Sequence, residues 1–280
     1  MTHIALGRWN RLTITRYTDH GAYLDGGEAG EILMPKQYVL SESVVGDEVE
    51  VFVYLDQGER LVATTEQALA EVGDFAFLEV AWTNEYGAFL HWGLMKDVFV
   101  PFREQKMRMV QGRSYIVYIY IDDETGRIVA TAKVDRHLND TYPPYRVGDA
   151  VDILVWQRSD LGFKAIVDNK FSGLIYGNEI YGHIQTGDRL TAYVKQVRED
   201  GKIDLSLQAL GMTHIEDFAQ QLLAELEASG GFLPYNDKSD SQAIMSRFAV
   251  SKKAFKRAVG TLYKARAIVL MPDGIRLVKS

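Results

Sequence analysis

Nine basic residues and a single acid, Asp273, fall between Ile244 and Ser280. Within that stretch Lys253, Lys256, Arg257 and Lys264 gather on one side of a helix drawn at about 100° per residue, opposite Phe255, Ala258, Val259 and Leu262. Such a face can neutralise phosphates or simply stay solvated, and both readings are open. Catalytic chemistry has fewer candidates. There is no cysteine, which removes disulfides, thiolate metal sites and cysteine nucleophiles. His3, His20, His91, His137, His183 and His214 are scattered without metal-ligand spacing. Neither a glycine-rich phosphate loop ending in Gly-Lys-Ser/Thr nor a Gly-x-Ser-x-Gly elbow is present. Carboxylates are plentiful but lie in turns and on strand edges, with no cluster that singles itself out. The expectation is a protein that is not an enzyme, uses no cofactor and holds no metal.

The net charge of −7 argues against an anionic partner until its distribution is considered. Residues 1–70 carry 5 Lys/Arg against 11 Asp/Glu, whereas residues 211–280 carry 10 against 7, so the chain runs from acidic to basic. Hydrophobic residues make up 47% and charged residues 25%, an ordinary soluble composition. The start, Met1 to Trp9, lacks a basic region followed by an apolar stretch and does not read as a signal peptide. No apolar run approaches the roughly 18 residues that a membrane helix needs. These features predict a soluble cytoplasmic protein without a membrane partner.

The elements that must position any binding groups are set by a repeat. Asp97-Val98-Phe99-Val100-Pro101 echoes Glu31-Ile32-Leu33-Met34-Pro35 at an offset of 66, and Gly87-Ala88-Phe89-Leu90 echoes Gly21-Ala22-Tyr23-Leu24 at the same offset. A third copy follows at an offset of 75, where Gly162 answers Gly87, Ser172 to Tyr176 answers Asp97 to Pro101, and Gly187 answers Gly112. A unit this long exceeds the roughly 20–50 residues of solenoid repeats and is a small domain in its own right. After each turn glycine (Gly46, Gly112, Gly187) comes an alternating strand: Val49, Val51, Val53 and Leu55, then Tyr115, Val117, Ile119 and Ile121, then Leu190, Ala192 and Val194. Polar hairpins with glycine close each unit, at 56–62, 123–129 and 199–203. Short strands, hairpins, no long helix, and glycine inside a strand at Gly21, Gly87 and Gly162 predict a five-stranded OB-fold barrel.

After Leu210 the period changes from two to helical. His214–Ala228 reads as an amphipathic helix with Ile215, Phe218, Leu222, Leu223 and Leu226 on one side, ended by Gly230-Gly231. Ser239-x-x-Gln242 is a candidate capping box for a second helix, and Ser251 for a third running to about Ala265. Residues 267–271 and 275–278, joined by Pro272-Asp273-Gly274, form a hairpin, and three helices with a hairpin make a winged helix. The predicted architecture is mainly β with a C-terminal α+β module: barrels at 1–66, 67–140 and 141–210, and a winged helix at 211–280.

The ordered set of aromatic-Gly-Ala-aromatic, an apolar run ending in proline, Gly-Asp with an alternating strand, and Asp-x-x-x-Arg resembles the S1 RNA-binding domain, in three copies over residues 1–210. The resemblance implies that single-stranded RNA lies across one barrel face, with bases on exposed rings and basic groups along the backbone. Carried over residue by residue, the second unit matches best, with Tyr86, Phe89, Asp123 and Arg127. The first offers His20, Tyr23, Asp56 and Arg60. In the third, Leu161 and Lys164 replace the stacking pair, Arg198 and Lys202 replace Asp and Arg, and Tyr176 stands where the other units have Pro35 and Pro101. Aromatics on strands also serve packing, and the Asp-x-x-x-Arg pairs can merely hold hairpin geometry.

Together with the three S1-like units, the segment from Ser251 to Lys264 resembles the conserved virulence factor B family of bacteria over the whole chain. That resemblance implies three OB barrels, a C-terminal winged helix, RNA binding and a regulatory rather than catalytic role. The expected partner is single-stranded RNA, with structured RNA, the ribosome and duplex DNA left open for the winged helix. Two other readings stay open: a winged-helix DNA-binding transcription regulator, and a protein-interaction scaffold.

Overall fold

The computed structural model describes residues 3–180, 183–208 and 213–278, without the side chains of 213–217. It comprises two compact units, residues 1–139 and 140–280. The first unit holds two closed five-stranded barrels. One consists of β1 (Arg8–Thr18), β2 (Gly21–Asp25), β3 (Glu31–Pro35), β4 (Glu48–Leu55) and β5 (Leu61–Thr64). The other consists of β6 (Phe75–Thr83), β7 (Gly87–Leu90), β8 (Val98–Pro101), β9 (Ser114–Ile121) and β10 (Ile128–Thr131). The second unit opens with a third barrel, β11 (Ala150–Ser159), β12 (Gly162–Val167), β13 (Phe171–Tyr176), β14 (Arg189–Val197) and β15 (Ile203–Ser206). All three close in the same order, first-second-third-fifth-fourth, with the third and fifth strands parallel.

The repeated glycines have a steric cause. A Cβ on Gly21 would lie 2.1 Å from the Met34 carbonyl oxygen, one on Gly87 2.3 Å from that of Val100, and one on Gly162 2.0 Å from that of Ile175. Gly21 and Gly162 also hold φ of +145° and +146°, which L side chains rarely adopt. The second strand crosses the third so closely at these points that no side chain fits.

The first strand of every barrel carries a bulge at the same place. The register shifts between Ile14 and Arg16, between Val80 and Trp82, and between Val155 and Gln157. A bulge inserts one residue against its partner strand and so moves the following side chain to the other face. Val80 points into its barrel, fully buried, while Trp82 stands outside.

The alternation of β4 predicts an outer face at Glu48, Glu50, Phe52 and Tyr54. Both glutamates are exposed, yet Phe52 and Tyr54 are buried. They pack with Trp92 and Leu94 of the second barrel in one continuous core, and Phe52 meets Trp9 and Trp92 edge to face at 5.8 and 5.6 Å. The outer side of β4 therefore joins the second barrel's core, while the first barrel's interior, with Leu12, Ile14, Val51 and Val53, forms a separate cluster.

The C-terminal module contains α1 (Thr213–Ala228), β16 (Phe232–Leu233), α2 (Ser241–Phe248), α3 (Lys252–Lys264), β17 (Ile268–Met271) and β18 (Gly274–Leu277), the strands ordered β16-β18-β17. It is a winged helix, as the pattern predicts. Phe218, Leu222, Leu226, Ile244, Phe255, Ala258, Val259, Leu262, Ile268 and Ile275 form its core. Ser251 caps α3, accepting from the Ala254 N–H at 3.1 Å. The cap of α2 differs from expectation: Asp240, not Ser239, accepts from the Gln242 and Ala243 N–H groups at 2.8 and 3.1 Å. Ser239 instead accepts from the Asn236 N–H in the preceding loop. The predicted junction at 210–211 and the Ile215 side chain lie outside the described residues.

Candidate nucleic-acid interface

The outer face of the second barrel is an aromatic platform. Register places Trp82 of β6 opposite Phe89 of β7, and Phe89 opposite Phe99 of β8. Trp82 and Phe89 stack with centroids 3.7 Å apart, and Phe99 adjoins Phe89 at 4.8 Å. The Trp82 indole N–H donates to Asp97 at 3.0 Å, fixing the ring. Tyr86 stands in the β6–β7 turn, 66% exposed. That turn is organised by Asn84, whose side-chain oxygen accepts from the Tyr86 and Gly87 N–H groups at 2.8 and 3.1 Å.

Tyr86, Phe89 and Arg127 line one cleft of about 430 Å³, with Phe99 and Lys96 beside them. Its opposite wall is the β4–β5 hairpin of the first barrel, through Tyr54, Gln57 and Glu59. Burial pushes the Tyr54 phenol up to about 12 and holds the Lys96 ammonium below its ordinary value. Lys96 offsets that desolvation by donating to the carbonyls of Leu55 and Asp56 at 3.0 and 2.8 Å. Arg127 pairs with Glu59 across the cleft.

Asp123 does not join this group. It is exposed in the turn, and Asp122 takes the part that Asp56 plays in the first barrel. Asp122 accepts from the Thr125 N–H and hydroxyl at 2.9 and 2.8 Å, bonds that hold its carboxyl below the usual range. The second hairpin is one residue longer than the first (Asp56 to Arg60 against Asp122 to Arg127), which displaces the Asp-x-x-x-Arg pattern by one. In the first barrel Asp56 does hold its hairpin. Desolvation would raise its pKa, but bonds from Arg60 and Gly58 outweigh this and lower it. Arg60 is thereby committed to Asp56, at 2.6 Å.

The same face changes chemistry from barrel to barrel. In the first, Arg16 replaces Trp82 and lies over the Tyr23 ring at 3.8 Å. Arg16 also grips Glu31, through bonds of 2.7 to 3.1 Å, and holds that carboxyl below its ordinary value. Tyr23 is thus covered by a neutralised pair, while His20 is exposed in the turn. In the third barrel, Gln157, Lys164 and Leu174 occupy the three registers. Lys164 sits 5.3 Å over the Trp156 ring. Arg198 pairs with Asp204 and donates to the Tyr176 hydroxyl at 2.6 Å, and Lys202 pairs with Asp200 at 2.7 Å. Arg198 and Lys202 are thus internally compensated, whereas Lys164 rests on a ring.

On the winged helix, Lys253, Lys256, Arg257 and Lys264 are exposed and no ion pair is formed by them among the described residues. Sequence reasoning missed Trp82, Phe99 and Lys96. Among the described residues no group of three or more histidine or carboxylate side chains is placed to hold a metal, and no helix is long and apolar enough to cross a membrane.

A barrel of this order joined to a winged helix defines a class, and two family models agree with it. The S1 domain model matches residues 6–66, the first barrel, and the CvfB-like winged helix domain model matches residues 220–277. The chain is 30% identical to the "Uncharacterized protein YitL" of Bacillus subtilis strain 168 over 92% of its own length and 89% of that protein. It is 25% identical to Conserved virulence factor B of Staphylococcus aureus strain N315, over 92% and 89%. A solved multidomain protein with nucleic acid binding domains from Streptococcus pneumoniae TIGR4 is 26% identical, covers 98% of each chain and superposes at a TM-score of 0.43. The chain belongs to the conserved virulence factor B family. Its S1 and winged-helix domains support nucleic-acid binding.

Proposed function

We propose that this protein binds single-stranded RNA without catalysis, as a cytoplasmic post-transcriptional regulator. The second barrel provides the stacking surface, and the basic face of α3 adds phosphate contacts. The observation that carries this reading is the parallel Trp82–Phe89 stack beside the exposed Tyr86. A stacked, partly exposed pair of rings presents a flat π surface to any base, and such stacking contributes about 1–3 kcal/mol per base. A duplex hides its base faces and gains nothing from such a platform. Filter binding of single-stranded RNA against duplex DNA of the same length tests the reading, which requires preference for the single strand.

A second reading, duplex DNA binding led by the winged helix, is favoured by the exposed Lys253, Lys256, Arg257 and Lys264 on α3. It requires the opposite preference in the same assay, lost in a Lys253/Lys256/Arg257 alanine variant. The scaffold reading requires neither.

A further inference from the structure

The aromatic platform is not open on all sides. The β4–β5 hairpin of the first barrel faces it across the cleft, contributing Tyr54, Gln57 and Glu59. A volume of about 430 Å³ lies in the range of small-molecule sites and suits one nucleotide rather than a helix. The cleft combines two kinds of chemistry. Phe89, Phe99 and Tyr86 supply ring surface, Arg127 and Lys96 supply positive charge, and of the two acids in the lining Asp97 is engaged by the Trp82 indole N–H and Glu59 by Arg127. This pairing of ring and cation is what a base with its phosphate requires.

The hairpin is held in place by specific bonds. Lys96 spends two of its three N–H donors on the Leu55 and Asp56 carbonyls. Asp56 fixes the turn from within, accepting from the Gly58 and Arg60 N–H groups. Glu59 holds a left-handed φ of +62° at the tip, and its carboxylate rests on the Arg127 guanidinium. An anion therefore already occupies the cation at the cleft. The two side chains are 50% and 55% exposed, so the pair is screened and weak. A phosphate oxygen offers the same guanidinium an equivalent charge-assisted bond.

We propose that the first barrel's hairpin closes the aromatic face of the second barrel into a site for one nucleotide of an RNA strand, with Glu59 as the resident anion that the phosphate displaces from Arg127. This rests on the RNA-binding reading above and adds to it a composite site and a competing carboxylate. Base plus phosphate is also the chemistry of a free nucleotide, and the test separates the two.

The affinity of the full chain for a short single-stranded RNA is measured by fluorescence anisotropy, in parallel with the matching nucleoside 5′-monophosphate. Glu59→Gln removes the charge, and Glu59→Gly removes the side chain while accepting the left-handed backbone. Both are expected to tighten RNA binding three- to ten-fold with unchanged unfolding midpoints, and the gain is expected to vanish in combination with Arg127→Met. Unchanged or weaker RNA affinity in both variants overturns the proposal, as does an equal gain in the absence of Arg127. A gain confined to the monophosphate assigns the site to a free nucleotide and also overturns it. Loss of binding in Tyr86→Ala/Phe89→Ala is read separately. If that loss is seen while the Glu59 variants are neutral, only the composite site fails. If the wild-type chain binds no RNA, both readings fall.

Discussion

Trp82 and Phe89 lie face to face, their planes 3° from parallel, on the outside of the second barrel. The relationship exists because a bulge after Val80 turns Trp82 away from the interior. Trp82 is 44% exposed, whereas Trp92 and Trp156 are buried, so it is the indole best placed to report an arriving base. Saturating single-stranded RNA is expected to quench tryptophan fluorescence in the wild type. The quench should be largely absent from Trp82→Phe. A quench of unchanged size in that variant would place the contact elsewhere.

Phe52 belongs by sequence to the first barrel and by packing to both. Phe52→Ala is expected to cost about 3–5 kcal/mol, as large core truncations do. The loss should spread into the second barrel, whose core this ring joins. Hydrogen exchange of the full chain should show protection falling together in β1–β5 and β6–β10 and persisting in β11–β15. Loss confined to β1–β5 would contradict the packing of Phe52 into the second barrel's core.

Much of the architecture was legible because its causes are local. Gly21, Gly87 and Gly162 recur because a Cβ would strike a carbonyl, and the alternating valines of β4 record its inward face. The platform was only half legible. Strict period two puts Trp82 on the same side as Val80, inside the barrel, and nothing local in the sequence announces the bulge. The offset of 66 was the available signal, since it aligns Trp82 with Arg16 seven residues before each Phe89 or Tyr23. Lys96 and Glu59 gain their meaning only from the neighbouring barrel. The outward Phe52 and Tyr54, where Glu48 and Glu50 precede them, were the trace of that contact. Asp123 was misaligned for a simpler reason, the one-residue lengthening of its hairpin.

The α3 face separates a solvated helix from a phosphate-binding one. Lys253→Ala/Lys256→Ala/Arg257→Ala leaves the buried side of α3 intact, so the fold should persist. If these residues contact RNA phosphates, affinity falls and the salt slope flattens by about 0.7 for each lost contact to a single strand. An unchanged slope would leave the face merely solvated.

The cap of α2 carries a pH signature. The Ala243 and Gln242 N–H groups hold the Asp240 carboxyl below its ordinary value. A carboxylate depressed in the fold stabilises above its unfolded pKa and loses that contribution as pH falls through the folded value. Asp240→Ala is therefore expected to destabilise the winged helix near neutral pH, with the gap to wild type narrowing below the ordinary carboxylate range. A gap that held constant into acid would show that the charge is not what caps the helix.

The central claim is that RNA stacks on the second barrel, and filter binding of Tyr86→Ala/Phe89→Ala to single-stranded RNA at two salt concentrations tests it most directly. At about 1–3 kcal/mol per stacked base, the account predicts a loss of at least about five-fold at both salts, because stacking is not screened. Affinity equal to wild type at both salts would contradict it.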